Sequence, residues 1–147
     1  CNDGTCAPKP ECGENADVPE CPEGKECVEG ACQIKVTQCT ADAVYFDFDR
    51  SSIKWRERDK LKTIATCLKG DNVAPLSLEG HCDERGTEEY NMALGERRAN
   101  AAKKYLNRLG VSDDKLRTTS YGKNRPAVDQ SNERAWSKNR RTEFVSE

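Results

Sequence analysis

The chain has 147 residues, 34% charged and 35% hydrophobic, with a formal net charge of −2. That length holds one ordinary domain and an appendage rather than two large cores, and the apolar content is too high for a wholly disordered chain. The apolar runs are a few residues long, far short of the roughly 20 that a membrane-spanning helix requires.

Charge and cysteine are both unevenly placed. Residues 1–38 carry eight acids against three lysines, a net of −5, and residues 39–147 carry 21 bases against 18 acids, a net of +3. An acidic arm argues against nucleic acid as a partner. Six of the nine cysteines (Cys1, Cys6, Cys12, Cys21, Cys27 and Cys32) fall in this arm, and the others are Cys39, Cys67 and Cys82. Such density in a segment poor in large apolar residues reads as a disulfide framework made in an oxidising compartment. No C-x-x-C pair exists and the only histidine is His81, so no metal site is expected from ligand spacing, and no cofactor is expected. The odd total leaves one thiol over, with Cys82 and Cys1 as the candidates, and the connectivity stays open.

In chain order, residues 1–38 show no helical or strand period, with Gly24 and Gly30 at turn positions between cysteines. They read as a small bridged loop module, and residues 39–147 read as the folded domain. "AVYFDFD" (Ala43–Asp49) alternates and is aromatic, a strand. The following stretch places Leu61, Ile64, Ala65 and Leu68 at helical spacing. "APLSLEGHC" (Ala74–Cys82) is a second strand, with Leu76, Leu78 and Cys82 on one face. A long helix is expected from Glu88 to Leu109, stopped by Gly110. Leu116–Gly122 is a third strand, Glu133–Ser137 a short helix, and "RRTEFVS" the last strand. The order β-α-β-α-β-(α)-β predicts an α/β class fold, an α+β sandwich with helices packed on a four-stranded mixed sheet.

One arginine of the long helix falls on its apolar side. At about 100° per residue, Leu94, Ala101, Tyr105 and Leu109 share an arc, Ala102 sits at its edge and Arg98 lies in its middle. Arg97 turns away to solvent. A guanidinium facing the sheet is costly unless paired. Asp83, where the second strand ends, is the expected partner. Together at a loop mouth the two suit a zwitterion, an amino group and a carboxylate on one carbon.

The blocks "YFDFD", "EGHCDERGTEEYN", "ALGERRANAAKKYL", "SYGKNRPAV" and "SKNRR" resemble the OmpA-like peptidoglycan-binding domain family, and within it the peptidoglycan-associated lipoproteins. The resemblance covers Val44 to Val145. It implies a non-catalytic clamp in which Asp83 takes the ammonium and Arg98 the carboxylate of diaminopimelate in the wall's stem peptide. It also implies that Phe48 and Asp49 line the pocket, with Asn91, Leu94 and backbone amides around Arg85 at its floor. For Asn91 a helix-stabilising side-chain bond is the competing role. Arg140 and Arg141 are expected to brace the sheet edge and site wall, and Tyr121 and Gly122 to serve a turn.

Lipoprotein members begin with a lipidated cysteine, which makes Cys1 a candidate anchor to the outer membrane. The resemblance further implies a Gram-negative host, a place on the periplasmic face of that membrane, the Tol–Pal system of envelope integrity and cell division, and a TolB-like protein partner. Cys39 and Cys67 are candidates for a bridge from the domain entry to the first helix. The other candidate disulfide cysteines are Cys12, Cys21, Cys27 and Cys32. An alternative reading is an envelope adaptor whose cysteine-rich arm binds a protein. An enzyme is not expected. Adjacent strand residues point to opposite faces, so His81 and Cys82 form no dyad. Cys82 reads as a buried free thiol and His81 as an ordinary strand residue.

Overall fold

The computed structural model describes residues 9–14 and 20–147. Cys1, with its expected acylation, and Cys6 lie outside them. The chain divides into two compact units, Cys1–Thr37 and Gln38–Glu147.

In the first unit, β1 (Lys25–Val28) and β2 (Ala31–Ile34) form an antiparallel hairpin. Glu29 and Gly30 turn it with φ of 50° and 82°, the two-residue geometry whose twist matches paired strands. Cys27 and Cys32 are cross-strand neighbours, yet each is bonded elsewhere, as Cys12–Cys27 and Cys21–Cys32. The hairpin corrects the expectation of no strand. Every residue of β1 is exposed and none of β2 is fully buried, so there is no inner face to impose alternation. Covalent bridges stand in for a core.

The second unit is an α+β sandwich. Its four-stranded mixed sheet runs β3 (Val44–Tyr45), β6 (Arg141–Ser146), β4 (Leu76–His81), β5 (Leu116–Gly122), with β4 and β5 parallel and the other pairs antiparallel. The helices are α1 (Arg58–Leu68), α2 (Glu88–Arg108) and α3 (Glu133–Asn139). Leu61, Ile64, Ala65 and Leu68 of α1 are buried at their helical spacing and share a core with Leu76, Leu78, Leu106 and Phe144. Cys39–Cys67 bridges the start of this unit to α1.

Two expectations shift here. The first strand is shorter than Ala43–Asp49, because only Val44 and Tyr45 pair with β6. Phe46 still donates its N–H to the Arg140 carbonyl at 2.9 Å. Beyond it the chain turns, with Asp49 at φ 54°, and its carbonyls go to Arg98 instead of a neighbouring strand. The buried face of α2 is also rotated. Asn91, Leu94, Gly95, Arg98, Ala99, Ala102 and Leu106 are buried, whereas Ala101, Tyr105 and Leu109 are half-buried. Small residues decide the contact. A Cβ on Gly80 would stand 1.7 Å from the Gly95 carbonyl oxygen, and one on Gly95 would stand 2.3 Å from Ser120 Oγ. The α2 backbone therefore lies directly on β4 and β5, and Arg98 is driven into the sheet's end one turn later.

Tyr121 and Gly122 close β5 and also open the expected turn, in which Asn124 donates its N–H to the Tyr121 carbonyl at 3.0 Å. Gly122 has φ 53°, and a Cβ there would be 2.9 Å from Met92 Sδ and 3.0 Å from its nitrogen, so its role is close approach to α2.

Candidate functional site

A cavity of about 260 Å³ opens where β4 ends, lined by Phe48, Asp49, Cys82, Asp83, Arg85, Gly86, Tyr90, Asn91, Leu94 and Arg98. Three segments build it: the loop after β3, the β4–α2 loop and the first turns of α2. Thr87 caps α2 by accepting from the Tyr90 N–H at 3.2 Å, with Glu88 and Glu89 in the first turn. Such a cap fixes the helix start and hence the loop before it. All seven residues singled out from the sequence (Phe48, Asp49, Asp83, Arg85, Asn91, Leu94 and Arg98) stand around this one cavity.

Arg98 is 1% exposed, yet the expected ion pair with Asp83 does not form. Its guanidinium is held by backbone: Nε donates to the Arg50 carbonyl at 2.8 Å, Nη1 to that of His81 at 2.9 Å and Nη2 to that of Asp47 at 3.2 Å. Phe46 lies against it, 5.3 Å from ring centroid to guanidinium carbon. Carbonyl dipoles replace the carboxylate as the compensation for burial, and no carboxylate lies within 4 Å among the described residues. Three of the five N–H donors of the fork are engaged, leaving two. Burial pulls the Arg98 pKa down, opposed by the nearby Cys82 and Asp83, but an arginine stays charged.

Asp83 is also buried and belongs to Arg85. Its Oδ1 accepts from the Arg85 N–H at 3.0 Å and from Nε at 3.2 Å, and its Oδ2 accepts from Nη2 at 2.8 Å. Arg140 Nη1 stands 3.7 Å from Oδ2. Burial pushes the Asp83 carboxyl up, and the hydrogen bonds and charge of Arg85, with Arg140 behind them, outweigh it and hold it below the ordinary aspartate value. The Arg85 plane lies between Phe48 and Trp136, 3.9 and 4.0 Å from the ring centroids. Trp136 in turn donates to Glu84 at 3.0 Å.

Asn91 ties the loop to the helix, donating from Nδ2 to the Arg85 carbonyl at 2.9 Å and to that of Thr87 at 3.0 Å. Its helix-bracing and pocket-lining roles are the same bond set seen from two sides. Arg140 braces the wall, from Nε to the Phe46 carbonyl at 2.9 Å and Nη2 to Glu133 at 3.0 Å. Arg141 is bonded to Glu143, Asn139 and Arg125.

Tyr90, Gly86, Cys82 and Trp136 were not anticipated as site residues. The Tyr90 hydroxyl donates to Asp49 on the rim. An exposed aromatic in the first turn after the Asp83 loop was the available signal for Tyr90. Nothing along the chain signals Trp136, which arrives from α3. Cys82 donates from Sγ to the Asn91 carbonyl at 3.2 Å, and burial pushes its thiol up to about 11 against the opposing Arg98 charge. His81 is no ordinary strand residue. It is 1% exposed and stacks on Tyr121 with centroids 5.5 Å apart, on the sheet face away from Cys82. A protonated thiol and an imidazole on opposite faces make no nucleophile–base pair.

Residues 45–140 match the OmpA family. The peptidoglycan-associated lipoprotein of Pseudomonas aeruginosa is 44% identical over 117 residues, 80% of this chain and 69% of that protein. The protein of the same name from Haemophilus influenzae is 45% identical over 112 residues, 76% of this chain and 73% of that one. The crystal structure of the peptidoglycan-associated lipoprotein from Burkholderia pseudomallei superposes with a TM-score of 0.70 at 39% identity, covering 71% of this chain and 89% of that one. The family match and these relatives agree with the fold, and the chain belongs to the OmpA family.

Proposed function

We propose that this protein binds peptidoglycan without covalent chemistry, through an amino-acid centre of the stem peptide seated in the β4-end cavity. The observation that carries this reading is Arg98, a buried cation lining the cavity, with donors beyond those given to three carbonyls and no carboxylate within 4 Å among the described residues. A ligand carboxylate supplies the missing anion, and charge-assisted pairing with a guanidinium is strong and directional. The ligand's ammonium goes to Asp83. A carboxylate offers about four acceptor positions and Arg85 uses three, so the ammonium takes the remaining one. A side chain ending in both groups matches diaminopimelate. Phe48, Tyr90 and Leu94 give the apolar walls its methylenes would contact.

The relatives' names support wall association, and the disulfides support an oxidising compartment. On that footing the protein anchors the outer membrane to the wall from its periplasmic face, with Cys1 as the lipid attachment point and a TolB-like protein competing for the cavity rim. Arg85, Asn91, Asp49 and Phe48 shape the site, and no catalytic step is assigned.

Co-sedimentation with purified sacculi tests the reading. Wild type pellets with diaminopimelate-type wall and is left largely in solution by wall bearing lysine at that position, while Asp83→Asn and Arg98→Met stay in the supernatant with both. Equal sedimentation of either folded variant with diaminopimelate-type wall would remove the cavity from the mechanism.

A further inference from the structure

On the face of the sheet opposite α2, β4 and β6 bring together Glu79, His81 and Glu143. Glu79 and Glu143 are direct cross-strand partners, and His81 pairs with Arg141 in the same register. Two carboxylates placed opposite each other on one sheet face repel. His81 sits between them, with Nε2 at 3.9 Å from Glu79 Oε2 and 3.8 Å from Glu143 Oε2. It is 1% exposed, and neither ring nitrogen meets hydrogen-bond geometry, the Arg125 backbone offering it at most a weak contact. A buried imidazole without a full hydrogen bond is uncommon and calls for an explanation.

The outer oxygens of both carboxylates are already occupied. Glu143 Oε1 accepts from Arg141 Nε at 2.7 Å, and Glu79 Oε1 lies 3.5 Å from the Tyr121 hydroxyl. That leaves one Oε2 from each strand directed at the same imidazole nitrogen. Groups behind a ligand that fix its orientation are the usual companions of a metal site, and here Arg141 and Tyr121 occupy that position.

The geometry points to a divalent transition-metal site formed by Glu79 Oε2, His81 Nε2 and Glu143 Oε2. The three ligand atoms lie within 4.8 Å of one another. Around a tetrahedral Zn²⁺ with bonds of about 2.1 Å, neighbouring donors stand about 3.4 Å apart. The observed 3.8 and 3.9 Å therefore require each carboxylate to move inward by a few tenths of an ångström. The set of one imidazole and two carboxylates suits zinc and its first-row neighbours. Calcium and magnesium prefer all-oxygen shells. The side chain of Glu143 is 40% exposed, so the ion has an entry side and water can fill the fourth position. The ion would relieve the carboxylate repulsion and give His81 its missing partner. Arg141 and Arg125 add positive charge nearby, which limits affinity without blocking the Oε2 atoms. Cys12, Cys21 and Cys27 also cluster, but all three are in disulfides and offer no thiolate. Spacing along the sequence conceals the Glu79–His81–Glu143 set because Glu143 comes from a different strand. The inference is independent of the wall-binding reading.

Calorimetric titration of zinc chloride into the full chain tests it, with disulfides intact, at neutral pH, after EDTA treatment and removal of the chelator. One equivalent should bind saturably and raise the thermal midpoint. His81→Asn and Glu143→Gln should each weaken binding at least tenfold and abolish the midpoint shift. Glu143→Gln alters a half-exposed surface side chain, so the test stands even where His81→Asn disturbs folding. Absence of one-to-one binding by wild type, or unchanged affinity in Glu143→Gln, overturns the site.

Discussion

Replacing Arg98 by methionine separates what the guanidinium does for the fold from what it does for a ligand. Methionine keeps an unbranched stem and removes the charge and all five donors, three of which are engaged. The carbonyls of Asp47, Arg50 and His81 then lose hydrogen bonds of 2.8 to 3.2 Å. Bonds to a charged donor are worth about 1.5–3 kcal/mol each, but removing the charge also ends its desolvation cost, so the net loss of stability is about 2–4 kcal/mol. For binding, truncating one side of a buried charged pair costs about 2–5 kcal/mol. At 1.4 kcal/mol per tenfold, the lower bound is a roughly 30-fold weaker Kd. The assay is calorimetric titration with a soluble diaminopimelate-containing muropeptide, at a temperature where circular dichroism shows the variant folded. Arg98→Lys, a point charge that cannot reach three carbonyls and a ligand together, should also lose at least tenfold. A folded Arg98→Met variant within threefold of wild-type affinity would refute the assignment of the ligand carboxylate to Arg98.

Three further outcomes follow from the geometry. Removing the Cys39–Cys67 bridge, which closes a sequence separation of 28 residues, with Cys39→Ala and Cys67→Ala together should cost about 3–4 kcal/mol by the loop-entropy relation, read from urea unfolding; a loss under about 1 kcal/mol would show that the bridge constrains little. Gly80→Ala forces a methyl to 1.7 Å from the Gly95 carbonyl and should lower the thermal midpoint more than any alanine placed on the exposed face of α2, an ordering that thermal melts decide directly. His81, lowered from 6.5 to about 4 first by burial and then by Arg141 and Arg125 against Glu143, stays neutral in the fold while the unfolded chain takes up a proton. Its contribution is therefore complete above pH 6.5 and lost as pH falls toward 4, up to about 3 kcal/mol at 1.36 kcal/mol per pH unit. In EDTA-containing buffer, His81→Asn should flatten that part of the stability profile, and an unchanged slope would count against the burial argument.

The helices and most strands were legible because each has one apolar face against one core. Leu61, Ile64, Ala65 and Leu68 recur at the period that burial requires, and Leu76 and Leu78 alternate. Legibility fails wherever packing is set by size or by backbone. The contact face of α2 turns on Gly95, Ala99 and Ala102, which carry too little apolar surface to register as a stripe. The loop after β3 reads as strand because Phe46 and Phe48 alternate, yet its carbonyls are diverted to Arg98. The position of Arg98 could be read from helical phase, whereas its partners could not, since backbone carbonyls leave no trace in side-chain pattern. Asp83 was visible as a strand-end acid, but its pairing with Arg85 two residues on depends on the turn that aims them at each other.

Those two modes of attachment imply different sensitivities within one pocket. The hydrogen bonds that anchor Arg98 among the described residues all go to main chain, with Phe46 packed against the guanidinium, and one of the three is to the carbonyl of His81. No single side-chain substitution around it removes an anchor, so its placement tolerates drift in the neighbouring sequence as long as the β4 end and the loop after β3 keep their paths. Asp83 is positioned by side chains: Arg85 directly, Arg140 behind it, and Phe48 and Trp136 on either face of Arg85. Its orientation can be altered from four places. The charge balance follows the same division. Asp83 is taken up by Arg85, whereas Arg98 has no carboxylate within 4 Å among the described residues, so on the proposed reading the cavity selects first for an anionic group and only then for a cation beside it. On that reading, carboxylate capture by Arg98 is the dominant contact, and discrimination among amino-acid ligands falls to Asp83 and the arginine that shares it.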